Sequence, residues 1–180
     1  NSAWLYYLFF EKMESKRVIN FLQKFPIMAG FLFLMPFCSI TFLLKQDSWL
    51  VLILLMFVMN FLVDTGAWFF GRLFGKKKLW PLISPKKTIN GAIGGSLTSI
   101  VITSLIIYFY FNKISIGLVL CLLFLTVLGQ AGDLIESKLK RQLGVKDSSN
   151  LIPGHGGIYD RLDSLIFVAP FYVIMVKYFL

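Results

Sequence analysis

The chain has 180 residues, of which 57% are hydrophobic and 15% are charged, and its formal net charge is +9. A soluble domain is close to half apolar and about a quarter charged, so this composition excludes an ordinary soluble domain and indicates a single membrane domain. The positive charge does not indicate nucleic-acid binding, because the cations flank apolar segments and no platform of interleaved aromatic and basic residues occurs.

Four or five apolar segments are long enough to cross a bilayer, for which about 20 residues are needed. They predict an all-α, polytopic membrane protein with about five transmembrane helices and polar loops. The chain begins at Asn1 rather than Met, so we expect further sequence and uncounted spans upstream. The predicted spans cover residues 27–44, 49–70, 91–111, 114–132 and 162–180.

Lysine and arginine residues divide unequally between the two sides that five spans would create. The connections 11–24, 71–90 and 136–161 contain 15 of the 18 Lys and Arg residues. Cytoplasmic loops of membrane proteins carry the excess of positive charge. The polar loops, and any site built from them, are therefore expected to face the cytoplasm.

Acidic residues recur near the cytoplasmic ends of three predicted spans. Asp64 lies near the end of the second span, and Asp133 and Glu136 lie near the end of the fourth, at a spacing that shares one helix face. Asp160 and Asp163 repeat that spacing before the last span. Clustered carboxylates repel unless a cation neutralises them, and hard oxygen ligands suit Mg²⁺ bound together with phosphates. This pattern predicts a metal site.

Simpler roles stay open for three of these acids. Asp64 could instead be the partner in a hydrogen bond between two helices. Glu136 and Asp163 could form ion pairs with nearby Lys138 and Arg161. Gly91 and Gly95, four residues apart in the third span, predict close packing against another helix.

Two polar segments offer groups that bind phosphate. Residues 84–88 read Ser-Pro-Lys-Lys-Thr, in which proline fixes a turn, lysines supply point charges and hydroxyls supply hydrogen bonds. In residues 137–163, glycines surround the single histidine, His155, and let the backbone approach a ligand. The cations of this second segment are Lys138, Lys140, Arg141, Lys146 and Arg161.

These motifs resemble the signature of the phosphatidate cytidylyltransferase (CDP-diacylglycerol synthase) family. The resemblance covers residues 64–180, and residues 1–60 match only as apolar spans. Where the family often has an acid, this chain has Asn90, and Ser149 stands where glycine is common. The matching runs are Asp64, Gly71-Arg72, Phe74-Gly-Lys76, Ser84-Pro-Lys-Lys-Thr88, Gly132-Asp-Leu134 with Glu136, Ser137-Lys-Leu-Lys-Arg141, Lys146-Asp147, Leu151-Ile-Pro-Gly-His-Gly-Gly157 and Asp160-Arg-Leu-Asp163.

The resemblance implies a reaction of phospholipid biosynthesis, in which CTP and phosphatidic acid give CDP-diacylglycerol and pyrophosphate. It implies a homodimer in a bacterial-type cytoplasmic membrane, with the active site on the cytoplasmic side. It also implies Mg²⁺ and a second ion such as K⁺. Residues 1–63 would then be N-terminal spans and residues 64–180 the catalytic region.

Residue roles follow from matching these motifs. Asp133, Asp160, Asp163 and Glu136 are expected to hold the metal. Asp64 and Arg72 are other possible site residues, without an assigned role. Catalytic roles are expected for Asp133, Asp160, Lys140, Arg141 and Arg161. Nucleotide or phosphate contacts are expected from Ser84, Lys86, Lys87, Thr88, Lys146, Asp147, Gly154, His155, Gly156 and Gly157.

Three other functions are less consistent with the sequence. A related membrane transferase acting on another lipid, such as an ether-lipid cytidylyltransferase or a polyprenol kinase, is the nearest alternative. An ion-coupled transporter is disfavoured because the polar residues gather at one end of the spans rather than at the midplane. A CDP-alcohol phosphotransferase is disfavoured because the chain contains no Asp-Gly-x-x-Ala-Arg run.

Overall fold

The computed structural model describes residues 2–27, 30, 36, 38–145, 148 and 159–180, and the side chains of these except residues 2, 3 and 159–161. The described elements are mostly helical, with one small sheet. In chain order they are α1 (Ser2–Phe10), α2 (Arg17–Lys24), a 3-10 helix (Ser39–Lys45), α3 (Trp49–Phe74), β1 (Lys78–Trp80), β2 (Ser84–Thr88), α4 (Ile89–Phe111), α5 (Ile116–Gln142) and α6 (Tyr159–Phe179).

Four described helices are long and apolar enough to cross a membrane: α3, α4, α5 and Leu162–Phe179 of α6. They correspond to four of the predicted spans and support an all-α membrane protein. The predicted span 27–44 falls largely outside the described residues, and the described Ser39–Lys45 forms a 3-10 helix. The count of five spans is therefore not confirmed.

Helices α3 and α4 pack together through glycines, as the spacing of Gly91 and Gly95 predicts. A Cβ atom added at Gly95 would lie 2.4 Å from the Val63 carbonyl oxygen, and one added at Gly91 would lie 2.6 Å from the Ala67 carbonyl oxygen. Because only a hydrogen fits at these positions, the two backbones approach closely. This contact fixes the end of α3 beside the start of α4.

A β-hairpin replaces the polar loop expected between the second and third spans. Strands β1 and β2 are antiparallel, with Lys78 opposite Thr88 and Trp80 opposite Ser84. Ile83, in the turn, is buried in an apolar cluster formed with α1, α5 and α6. Proline and lysines in β2 hide the alternating apolar pattern by which a strand is recognised, so the sequence predicted only a loop.

The hairpin leads directly into α4. The Thr88 side chain accepts a hydrogen bond from the Gly91 backbone N–H at 3.1 Å, and thereby caps the first turn of α4. Asn90 donates from Nδ2 to the Phe74 carbonyl oxygen at 2.6 Å. The start of α4 is thus held to the last residue of α3.

Enlarging Gly95 should separate α3 from α4. We expect Gly95→Ala to lower the free energy of unfolding by about 1–3 kcal/mol, because the added methyl meets backbone that cannot rotate away. The measurement is the thermal unfolding midpoint of the detergent-solubilised protein. Val101→Leu enlarges an exposed side chain of the same helix and serves as the control. An equal midpoint for both variants would contradict the proposed close packing.

Candidate active site

An ion pair joins the hairpin to α5. Lys87 of β2 donates from Nζ to Oδ2 of Asp133, and both side chains are a little over one quarter exposed. Ser137, one turn further along α5, donates to the other oxygen of Asp133 at 3.3 Å. The two polar segments identified in the sequence therefore meet at one place, although 46 residues separate Lys87 from Asp133.

A second group of charges lies against the first. Glu136 and Asp163 are 3% and 8% exposed, and Lys140 lies 2.9 Å from Oε2 of Glu136. Asp163 interacts with Glu136, and it is close enough to Asp133 and Lys87 for electrostatic interaction with both. Burying like charges is costly unless positive charge is near. The two lysines supply that charge here.

The donor chemistry of these carboxylates fits a metal ion. Nearly buried carboxylate oxygens on neighbouring helices are the hard ligands that Mg²⁺ prefers. Within the described side chains, no group of three or more Asp, Glu, His or Cys residues is arranged to hold a metal ion. Asp160 lies in α6, but its side chain is outside the described set. The four-residue metal site therefore stays a prediction.

A cavity of about 210 Å³ lies beside the Lys87–Asp133 pair. Asp64 and Trp68 of α3 line one wall, and the guanidinium of Arg72 lies 5.6 Å from the Trp68 ring. Cations and a carboxylate thus face the same space. The lining residues predicted from the sequence are Asp64, Lys86, Lys87 and Thr88.

The structure also places Thr88, Ser84 and Arg141, three residues predicted to take part in the site. The Thr88 hydroxyl caps α4 by accepting from the Gly91 backbone N–H. Ser84 is half-buried at the start of β2, opposite Trp80. Arg141 is exposed in the last turn of α5. Arg141 is therefore accessible to an anionic group approaching this end of the helix.

Lys138 does not have either role considered from the sequence. Its Nζ atom donates to the backbone carbonyl oxygens of Tyr7, Leu8 and Glu11, and the side chain is 1% exposed. Glu136 pairs instead with Lys140. The sequence left open a phosphate contact or a pairing with Glu136 for Lys138, and its described partners are backbone carbonyl oxygens instead.

Several predicted residues lie outside the described part of the chain. Asp160 and Arg161 belong to α6, but their side chains are not described. The remainder are Lys146, Asp147, Gly154, His155, Gly156 and Gly157. The roles of all eight stay predictions.

Sequence reasoning missed Gln130, which lines the cavity. Its Nε2 atom donates to the Ala92 carbonyl oxygen at 3.1 Å and to Ser96 Oγ at 2.8 Å, and so joins α5 to α4. The available signal was its position three residues before Asp133, which places both side chains on one helix face.

The Lys87–Asp133 pair should couple the two residues energetically. In a double-mutant cycle with Lys87→Met and Asp133→Asn, we expect a coupling of about 0.5–1 kcal/mol, because the pair is partly exposed. The measurement is the unfolding free energy of the detergent-solubilised protein. Lys86→Met is the matched control, since Lys86 is exposed and forms no ion pair with any described residue. Equal coupling for Lys86 and Lys87 would contradict the pairing.

Comparison with known proteins identifies the family of this chain. Residues 2–179 match the cytidylyltransferase family. Phosphatidate cytidylyltransferase of Staphylococcus haemolyticus (strain JCSC1435) is 51% identical over 119 residues, which are 66% of this chain and 46% of that protein. The proteins of the same name from Staphylococcus aureus (strain COL) and Staphylococcus epidermidis (strain ATCC 35984) are 50% and 52% identical over the same shares.

The chain spans about half the length of the curated relatives it matches. The family match, in contrast, covers nearly all of this chain and confirms the resemblance seen in its motifs. The chain belongs to the cytidylyltransferase family.

Proposed function

We propose that this chain forms the catalytic part of an enzyme that transfers CMP from CTP to phosphatidic acid. The observation that carries the proposal is the Lys87–Asp133 contact, which gathers lysines and carboxylates at one end of apolar helices. The names of the relatives support the choice of substrates. The product would be CDP-diacylglycerol, a precursor in phospholipid biosynthesis.

The proposed reaction is a substitution at phosphorus. A phosphate oxygen of phosphatidic acid forms a bond to the α-phosphorus of CTP, and the bond between that phosphorus and the bridging oxygen of the β-phosphate breaks. Pyrophosphate leaves with the bonding electron pair. The attacking phosphate is already ionised, so no strong general base is needed. Catalysis then depends mainly on positioning and on stabilising negative charge.

The described cations suit this task. Lys86 and Lys87 line the cavity and would bind the triphosphate, and Lys140 and Arg141 would contact the phosphates of either substrate from α5. Thr88 fixes the junction between β2 and α4, and this junction positions Lys86 and Lys87. Substrate phosphates would compete with Asp133 and Glu136 for the lysines that pair with them.

Asp133, Glu136 and Asp163, together with Asp160, would hold Mg²⁺, and a second ion such as K⁺ belongs to the same proposal. Bound Mg²⁺ would neutralise phosphate charge in the site. The nearly buried positions of Glu136 and Asp163 support the assignment.

The remaining nucleotide contacts rest on the family resemblance. Arg161, Lys146 and Asp147 would bind phosphate or orient the groups that do. The backbone around Gly154, Gly156 and Gly157 would wrap the nucleotide, with His155 beside it.

We propose that the site faces the cytoplasm of a bacterial cell, from the inner membrane. The hairpin, the end of α3 and the end of α5 lie together, and these segments are rich in lysine and arginine. The positive-inside rule places such segments on the cytoplasmic side, where CTP is available. A homodimer is proposed from the family resemblance, and the composition favours no nucleic-acid partner.

The proposal predicts that the protein in lipid vesicles converts CTP and phosphatidic acid to a CDP-lipid. We expect Asp133→Asn to lower turnover by at least about 100-fold, because it removes a charge that organises the site. Labelled CTP and lipid extraction provide the measurement. Asp47→Asn makes the same change at an exposed position far from Asp133 in the sequence, and is the matched control.

Three results would count against parts of this proposal. Full activity of Asp133→Asn would refute the role of that carboxylate. Equal use of ATP would refute the choice of nucleotide. Turnover with a polyprenol or an ether lipid, but none with phosphatidic acid, would favour the alternative transferase.

Removing divalent cations should stop the reaction. We expect EDTA to abolish turnover and excess Mg²⁺ to restore it, because carboxylates and substrate phosphates together form a hard-oxygen site. The same CDP-lipid assay provides the measurement. Undiminished turnover in EDTA would contradict the metal assignment.

A further inference from the structure

An apolar groove of about 370 Å³ lies between α1, β1, α4 and α5. Leu8 and Phe9 of α1 form one wall, Ile93 and Leu97 of α4 form another, and Val127 of α5 lies between them. Except for Leu8, these side chains are more than half exposed, so the groove is open at the apolar surface of the spans. In a membrane, such a surface faces lipid chains.

The groove adjoins the polar cavity, because three residues contribute to the lining of both. Leu79, Ala92 and Gln130 line both. A lipid whose chain lies in the groove would therefore have its head group near Lys86 and Lys87. An apolar groove beside lysines suits a phospholipid, whose acyl chain would occupy the groove and whose phosphate would lie at the charged end.

The wall formed by α1 depends on Lys138. Helix α1 has only nine residues, and an isolated helix shorter than about 12 residues is marginally stable in water. The last four carbonyl groups of a helix lack partners within it. Lys138 donates to two of them, at 2.5 Å to Tyr7 and 3.1 Å to Leu8, and to the Glu11 carbonyl oxygen at 2.6 Å.

Neighbouring contacts reinforce this attachment. The Lys138 ammonium lies 4.4 Å from the centre of the Tyr7 ring, within the range of a cation–π interaction. Gln142, one turn further along α5, accepts a hydrogen bond from the Tyr7 hydroxyl. Burial, with the charge of Glu11, raises the pKa of Tyr7 above its usual value, so that hydroxyl remains a donor.

Gln142 also holds the chain that follows α1. Its Nε2 atom lies 3.2, 3.1 and 2.9 Å from the carbonyl oxygens of Lys12, Met13 and Ser15. Lys138 and Gln142, on one face of α5, therefore bind backbone carbonyl groups in two neighbouring parts of the segment 7–15. Both contacts fix α1 relative to the helix that carries Asp133.

We propose that Lys138 is a positioning residue for the lipid substrate: it holds α1 as a wall of the apolar groove, and the groove takes one acyl chain. This inference rests on the proposed function for the identity of the lipid. Lys138 acts through α1 and does not contact phosphate, since its ammonium is bound to the carbonyl oxygens of Tyr7 and Leu8 in α1 and of Glu11 just after it.

The first test separates positioning from general stability. In Lys138→Met, we expect the KM for dioleoyl phosphatidic acid to rise about tenfold, the change that follows from losing roughly 1.4 kcal/mol of binding. The KM for CTP should stay unchanged. Dihexanoyl phosphatidic acid, whose chains are too short to use the groove fully, should show a much smaller change.

Two variants complete this comparison. Lys138→Arg keeps donors for the carbonyl groups and should restore part of the lipid affinity. Lys12→Met removes an exposed lysine from the segment held by Gln142 and should leave both KM values unchanged. An equal fall in kcat with both lipids, without a change in KM, would show a structural role only and overturn the proposal.

The second test does not require turnover. Phosphatidic acid with a photoreactive diazirine midway along one acyl chain is incorporated into phosphatidylcholine vesicles that contain the protein. After illumination, we expect adducts at Leu97 and Val127 in the wild type and a large loss of them in Lys138→Met. Val127→Trp should block the groove and abolish the adduct at Leu97, whereas Leu120→Trp, at an exposed site on the same helix outside the groove, should not.

The outcomes distinguish this inference from the proposed function. Adducts that are spread over the apolar surface and unaffected by Lys138→Met or Val127→Trp would overturn the groove. A wild type that makes no CDP-lipid but retains Lys138-dependent adducts would refute the proposed reaction and keep the lipid groove. Adducts only on a second protein segment that covers the groove would also overturn it.

Discussion

A carboxylate at the end of an apolar helix is costly unless positive charge is near, and Lys87 supplies that charge to Asp133. The pair connects α5 to a hairpin of three- and five-residue strands, a unit that is marginal when isolated. Burial of Ile83 gives the hairpin its other anchor. Because α4 begins where β2 ends, this attachment also sets the start of α4 and its glycine contacts with α3. The attachment of the hairpin therefore also determines the position of the polar cavity between these elements.

Hydropathy predicted four long apolar helices that the structure contains, but not where those helices end. The segment predicted to end at residue 70 continues as α3 to Phe74, and the segment predicted to end at residue 132 continues as α5 to Gln142. An apolar run marks the part of a helix suited to lipid, and polar residues beyond it remain compatible with helix. This extension matters for the site, because Asp133, Glu136 and Lys140 thereby belong to one rigid element. The hairpin was not predictable in the same way, since its anchor is the long-range burial of Ile83.

Helix periodicity distinguishes Lys140 from Lys138 as the partner of Glu136, which their equal charge could not do. Lys140 follows Glu136 by four residues and shares its face, whereas Lys138 follows by two and points elsewhere. The sequence thus contained the signal that Lys138 is not a partner of Glu136. It did not contain the partner itself, because the carbonyls of α1 are more than a hundred residues away. The partner of Asn90 was likewise not predictable from the sequence. Its hydrogen bond to the Phe74 carbonyl oxygen depends on how α3 packs against α4.

The charge balance of the described site constrains how it can bind a triphosphate. Four carboxylates, Asp64, Asp133, Glu136 and Asp163, oppose five cations, Arg72, Lys86, Lys87, Lys140 and Arg141. Two of those lysines already pair with carboxylates. A nucleotide and an anionic lipid would add negative charge to a nearly neutral cluster, so the proposed reaction requires further positive charge. Lys146, Arg161 and the proposed Mg²⁺ are its expected sources. Lys138 is excluded from this set because it stabilises α1, and a count of the cations in residues 137–163 therefore overstates the charge available to substrate.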